Sequence, residues 1–128
     1  MIKKLELYKC EKCGNLVEVV LEGAGELVCC GEPMKLLESQ KEKDEKHTPY
    51  FEKNNDGIVV KIGSIAHPME KEHYIQFIEI YSKDKKYVKR KYLCPEEAAK
   101  LKLKCLDLNS MTARELCNIH GLWEANND

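Results

Sequence analysis

Tyr74-Ile75-Gln76-Phe77-Ile78-Glu79-Ile80-Tyr81 is a strongly β-prone stretch, and its reading decides the fold. β-branched and aromatic residues suit a pleated, half-buried surface, so Ile75, Phe77, Ile78 and Ile80 are expected to face a core. Outward from it, Asn54-Asn55-Asp56-Gly57 is a turn signal leading into the strand Ile58–Ile62, and Lys83-Asp84-Lys85 is the turn that follows. Lys86–Leu93 forms a further strand, whose lysines and arginine place it at an edge. Pro95-Glu96-Glu97-Ala98-Ala99 has proline first and acids next, which suits the first turn of a helix. That helix cannot continue, because Leu101, Leu103 and Cys105 alternate with Lys100, Lys102 and Lys104 with the period of a half-buried strand. Leu106–Ser110 then turns the chain, Thr112–Leu116 is a strand, and the polar tail after Trp123 is expected to fray. Short strands separated by turn signals indicate an all-β sandwich.

The amino-terminal part reads differently. A short strand over residues 2–8 delivers Cys10-Glu11-Lys12-Cys13-Gly14; a second strand spans Leu16–Leu21, Glu22–Gly25 is a turn, and Glu26–Val28 leads to Cys29-Cys30-Gly31. Four thiols on strands too short to build a core point to a tetrahedral metal rather than to a disulfide pair or free thiols. The adjacent pair Cys29-Cys30 departs from the paired Cys-x2-Cys of zinc ribbons and should strain a tetrahedron, because neighbouring side chains diverge. This favours iron over zinc.

At 128 residues the chain holds one main domain and a small appendage. The boundary is expected near Leu37, giving units 1–37 and 38–128, with the wholly polar Ser39–Asp44 as an exposed linker. Lys+Arg 21 against Asp+Glu 22 leaves a net charge of −1, so no global field favours nucleic acid or an anionic membrane. No apolar run reaches membrane-spanning length and Met1–Lys4 does not open a signal-peptide core, so a soluble, cytoplasmic protein is expected.

The carboxy-terminal stretch Leu116-Cys117-Asn118-Ile119-His120-Gly121-Leu122-Trp123 puts a thiol and an imidazole three residues apart on a tight turn. Two such ligands can reach one ion. The other histidines, His47, His67 and His73, also lie at or between strand ends, where a β-scaffold can aim side chains at one point. Spacing alone leaves open whether they share a metal or are solvated loop residues. Cys94 reads as exposed, Cys105 as a small core hydrophobe, and Trp123 as packing over the Cys-His loop.

Taken in order, Cys10-x2-Cys13, Cys29-Cys30, Glu45-Lys46-His47-Thr48-Pro49, Ala66-His67-Pro68-Met69, Tyr74-Ile75-Gln76 and Cys117-Asn118-Ile119-His120-Gly121-x-Trp123 resemble desulfoferrodoxin, the two-iron form of superoxide reductase. The resemblance runs from Tyr8 to Trp123. It implies a desulforedoxin-like unit followed by an immunoglobulin-like β-sandwich, assembled as a homodimer, with two irons per chain. Cys10, Cys13, Cys29 and Cys30 would hold the first iron; His47, His67, His73 and His120 would surround the second, with Cys117 as axial thiolate. Glu45 and Lys46 would act beside an open sixth position. The implied activity is one-electron reduction of superoxide to hydrogen peroxide, with electrons from a rubredoxin-like donor. The alternative is a non-catalytic iron electron carrier or redox sensor.

Overall fold

The computed structural model describes residues 1–104 and 111–127, which form two compact units, Met1–Glu38 and Ser39–Asp128. Every regular element among the described residues is a strand.

The first unit holds β1 (Leu7–Lys9), β2 (Leu16–Glu18), β3 (Val28–Cys29), β4 (Glu32–Pro33) and β5 (Lys35–Leu36). They make a sheet in the order β2-β1-β5 and a separate β3-β4 hairpin. The strand expected over residues 2–8 starts only at Leu7, because Leu5 takes a left-handed φ of 72° and Ile2 contributes a lone bridge to Gly23. Buried apolar side chains are few: Leu5, Leu7, Cys10 and Val19.

The second unit comprises β6 (Pro49–Asn54), β7 (Gly57–Ile62), β8 (Ile75–Ser82), β9 (Val88–Tyr92), β10 (Lys100–Leu103), β11 (Met111–Cys117) and β12 (Gly121–Asn127). Two antiparallel sheets, β10-β7-β6 and β12-β11-β8-β9, face each other as a sandwich. Between them lie Ile58, Val60 and Ile62 of β7, Ile78 and Ile80 of β8, Leu101 and Leu103 of β10, and Ala113 and Cys117 of β11. Each large aliphatic side chain there contributes about 1.5–3 kcal/mol by leaving water.

Several expectations need correction. Phe77 is buried, but on the far face of its sheet from the cluster between the sheets: Leu116 faces Phe77 while Cys117 faces Ile75, and this slip in register puts Ile75 on the same side as Ile78 and Ile80. On that far face Phe77 meets Tyr92 edge-on at 6.1 Å and lies beneath the Arg90 guanidinium. Beside it, the fully buried Glu79 is held by Arg90 and Arg114, its cross-strand neighbours on either side. A buried carboxylate is tolerable because both partners are cations with matching donors.

No helix forms after Pro95, since Glu96 has a φ of 70° and the Glu97 carboxylate turns back to accept from the Cys94 amide. The tail is not frayed: β12 pairs with β11 from Gly121 to Asn127. Ser39–Asp44 is more than a linker, because Gln40 bridges Trp123 in parallel and exchanges backbone hydrogen bonds with Leu122 and Glu124. β9 is an edge as expected, and its lysines have a use there. Lys89 and Lys91 donate to the carbonyls of Lys102 and Lys100, covering the open rim of β10. The expectations for Cys105 and the turn Leu106–Ser110 lie outside the described residues.

Candidate metal centres

In the first unit, Cys10, Cys13, Cys29 and Cys30 converge, with their sulfurs all within 4.8 Å of one another. Cys13 and Cys29 sulfurs are 3.5 Å apart and those of Cys29 and Cys30 3.9 Å. A metal with bonds of about 2.3 Å to four tetrahedral sulfurs requires edges of about 3.8 Å, so the cage has the right size. The expected strain at the adjacent pair is relieved by the backbone. Cys30 adopts a left-handed φ of 54° and Gly31 follows at 77°, which swings the second sulfur inward beside the first. The Cys10 sulfur accepts from the Cys13 amide, and this bond draws its pKa down to about 6. Hydrogen bonds from neighbouring thiols push Cys30 up to about 12, with Cys13 the largest contributor. The Cys10 sulfur is thus biased toward the thiolate, while Cys30 would give up its proton to a metal.

The second cluster sits at one end of the sandwich. His47 ends the Glu45–His47 turn before β6, His67 lies between β7 and β8, His73 precedes β8, Cys117 ends β11, and His120 lies in the three-residue turn before β12. Their imidazole rings form a closed square. The centroids of His47–His67, His67–His73, His73–His120 and His120–His47 are 4.6, 4.8, 4.9 and 4.9 Å apart. A square of that edge has a half-diagonal of about 3.4 Å, which suits a central metal bonded to ring nitrogens at about 2.1 Å. Cys117 Sγ closes one side, 3.4 Å from His67 Nε2 and 3.8 Å from His120 Nδ1.

The nitrogens facing the centre can be named. His47 Nδ1 is 3.3 Å from Glu115 Oε2 and His67 Nδ1 is 2.6 Å from Pro68 O, so each ring keeps Nε2 for the centre. His73 Nε2 is buried with no hydrogen-bond partner, an orphaned acceptor that a metal would satisfy. His120 presents Nδ1, only 3.2 Å from His47 Nε2, because its tight turn from Cys117 brings the near side of the ring inward. Burial holds His47 and His73 below the ordinary imidazole pKa and His67 down to about 4, so the ring lone pairs are free at neutral pH. Burial also raises the Cys117 thiol, against the lowering effect of the His120 and Ile119 amides that donate to its sulfur. Four imidazoles and a thiolate are a donor set that suits iron.

Glu45 and Lys46 are exposed on the turn beside His47. Its backbone is fixed by Asp44, whose Oδ1 accepts from the Lys46 and His47 amides at 2.8 and 3.0 Å. Gly63 lets the next loop pass beneath: a Cβ there would lie 2.7 Å from the Glu45 and Lys46 carbonyls. The positive charge of Lys46 acts on both His47 and His73. Trp123 packs as expected, stacked on His47 at 4.7 Å with an 8° tilt and donating from Nε1 to the His120 carbonyl.

Some supporting residues escaped the sequence reading. Gln40 donates from Nε2 to the His120 carbonyl at 2.7 Å. Glu115 is fully buried beside His47, and burial pushes its carboxyl up to about 9. It shares the inward parity of Ala113 and Cys117, the one signal that could have revealed it. Cys94 is exposed and belongs to neither cluster.

Residues 39–126 match the family model described as desulfoferrodoxin, and residues 2–37 match the one for its N-terminal domain. Over 129 residues the chain is 51% identical to the desulfoferrodoxin of Syntrophotalea carbinolica, covering 98% of each. Over 130 residues it is 48% identical to that of Desulfarculus baarsii, covering 99% of this chain and 100% of that one. Its fold is similar to the crystal structure of the superoxide reductase from Treponema pallidum, with a TM-score of 0.73, 26% identity, and 98% and 99% of the two chains covered.

Proposed function

The chain belongs to the desulfoferrodoxin family, with two irons per chain, and from that premise we propose that it is a superoxide reductase acting at its four-histidine, one-cysteine centre. The observation that carries this reading is the asymmetry of that centre. A thiol buried to 1% exposure closes one face of the imidazole square, while Glu45 and Lys46, which directly precede His47, are exposed.

Iron held there by His47, His67, His73, His120 and Cys117 would supply one electron and a binding place for a small anion. Cys117 would contribute a thiolate ligand, its charge tempered by the Ile119 and His120 amides. The Lys46 ammonium attracts superoxide and offsets the negative charge that grows as the electron is taken up. Glu45 closes the open face between turnovers. Two protons per superoxide enter from solvent along the exposed Lys46 and His120 side, giving hydrogen peroxide. The lost electron is restored by a small donor protein of the rubredoxin kind. In this reading the protein serves oxidative-stress defence in the cytoplasm as a homodimer.

Mixing the reduced, iron-loaded protein with superoxide tests the proposal. Consumption of about one superoxide per electron supplied, with hydrogen peroxide as the product, supports it. Absence of any reaction at the second centre would leave the electron carrier or sensor as the reading.

A further inference from the structure

The pairing of β11 with β8 slips at the site, so that Gln76 has no residue opposite it. One more rung lies beyond the slip, and half of it is a side chain. The Asn118 amide donates to the Tyr74 carbonyl at 3.2 Å, as in an ordinary ladder. The Tyr74 amide answers to Asn118 Oδ1, at 2.9 Å, in place of the backbone carbonyl. The other end of the same carboxamide donates from Nδ2 to the Glu72 carbonyl at 3.0 Å. Asn118 is therefore bonded on both sides of His73, from a position next to Cys117.

We infer that the Asn118 side chain is a positioning residue for the thiolate and for His73. By completing the last rung with its carboxamide, it frees the backbone to leave the sheet at once. The next two amides, of Ile119 and His120, then turn onto the Cys117 sulfur. The same clasp fixes the Glu72–Tyr74 segment against the Cys117–His120 turn, which keeps the His73 and His120 rings at their 4.9 Å edge contact. Only a short carboxamide fits both tasks. Aspartate keeps the acceptor for Tyr74 and loses the donor to Glu72, serine is too short to reach, and alanine removes both. The inference rests on the metal-site reading above, yet it concerns hydrogen bonds that the metal-free chain already makes.

The test compares Asn118→Ala, Asn118→Ser and Asn118→Asp in the full chain. Asn118→Ala should speed hydrogen exchange of the Tyr74 amide in the metal-free protein by about 2- to 10-fold, the worth of one net hydrogen bond. It should weaken iron binding at the second centre by about tenfold or more, as loss of a residue that orients ligands does. Fewer donors on the sulfur should also move the sulfur-to-iron charge-transfer band to lower energy. Asn118→Ser should follow alanine and serves if the alanine protein does not fold. Asn118→Asp should retain Tyr74 protection and the native band. Unaltered Tyr74 exchange and an unshifted band in the alanine or serine protein overturn the inference, as does a band in the aspartate protein displaced as far as theirs. Superoxide turnover is not a readout here, so a wild-type protein that binds iron and ignores superoxide defeats the proposed function alone.

Discussion

All four cysteines of the first centre fall between Cys10 and Cys30, among strands of two or three residues, whereas the ligands of the second run from His47 to His120 and meet because two sheets pack together. The first centre is local in sequence and has little beneath it but Leu5, Leu7, Cys10 and Val19. In such a unit metal binding is folding free energy. The second centre is borne on loops of a sandwich that has its own core, so its side chains are held before a metal arrives. Local sequence suffices for a cage of sulfurs, while an open site needs a scaffold that holds one face shut.

The largest test of this contrast is metal removal. Chelation at neutral pH should collapse the amide NMR dispersion of Met1–Glu38, a loss on the order of 10 kcal/mol, while signals from Ser39–Asp128 persist. A first unit that stays dispersed without metal would break the comparison. Next comes the core: Ile78→Ala, at a side chain with no exposure, should cost the sandwich about 2–5 kcal/mol in denaturant titrations and leave the absorption of the four-cysteine centre unchanged. Lys46→Ala should slow superoxide capture by about tenfold and flatten its dependence on salt, with the first centre untouched; an unchanged rate at every ionic strength would rule out steering.

The smallest effect is on the sandwich alone. Asp84 in the β8–β9 turn is held below the ordinary aspartate value of 3.8, first by the Ser82 hydroxyl and then by the Lys86 amide. A depressed carboxylate stabilises the folded state above that value and loses the contribution as pH falls through its folded pKa. Asp84→Asn should therefore remove part of the acid limb below pH 3.8 from the stability profile of the second unit. An acid limb identical to wild type would show that the turn does not need the charge.

Much of this architecture was legible in the sequence because it rests on short-range pattern. The alternation at Lys100–Leu103 gave buried leucines and exposed lysines, and Lys86–Leu93 became an edge strand. The histidines were individually ambiguous, and only their order with the cysteines drew them together. What escaped notice depends on partners far along the chain. Gln40 sits in a run that looks solvated, and its role comes from pairing with β12, about 80 residues away. The charge row of Arg90, Glu79 and Arg114 becomes visible only once β9, β8 and β11 are in register. Ile75 and Ile78 share the inner face despite their odd spacing because a one-residue slip at Gln76 inverts the alternation between them. At Cys29-Cys30 the side-chain rule held for extended backbone, but a left-handed residue does not obey it.

The stacking of Trp123 on His47 has an optical consequence. This is the chain's single tryptophan, and it lies parallel to a ring of the second cluster at 4.7 Å. Iron entering the imidazole square should quench its emission. The protein thus carries a built-in fluorescence gauge for filling of its second centre.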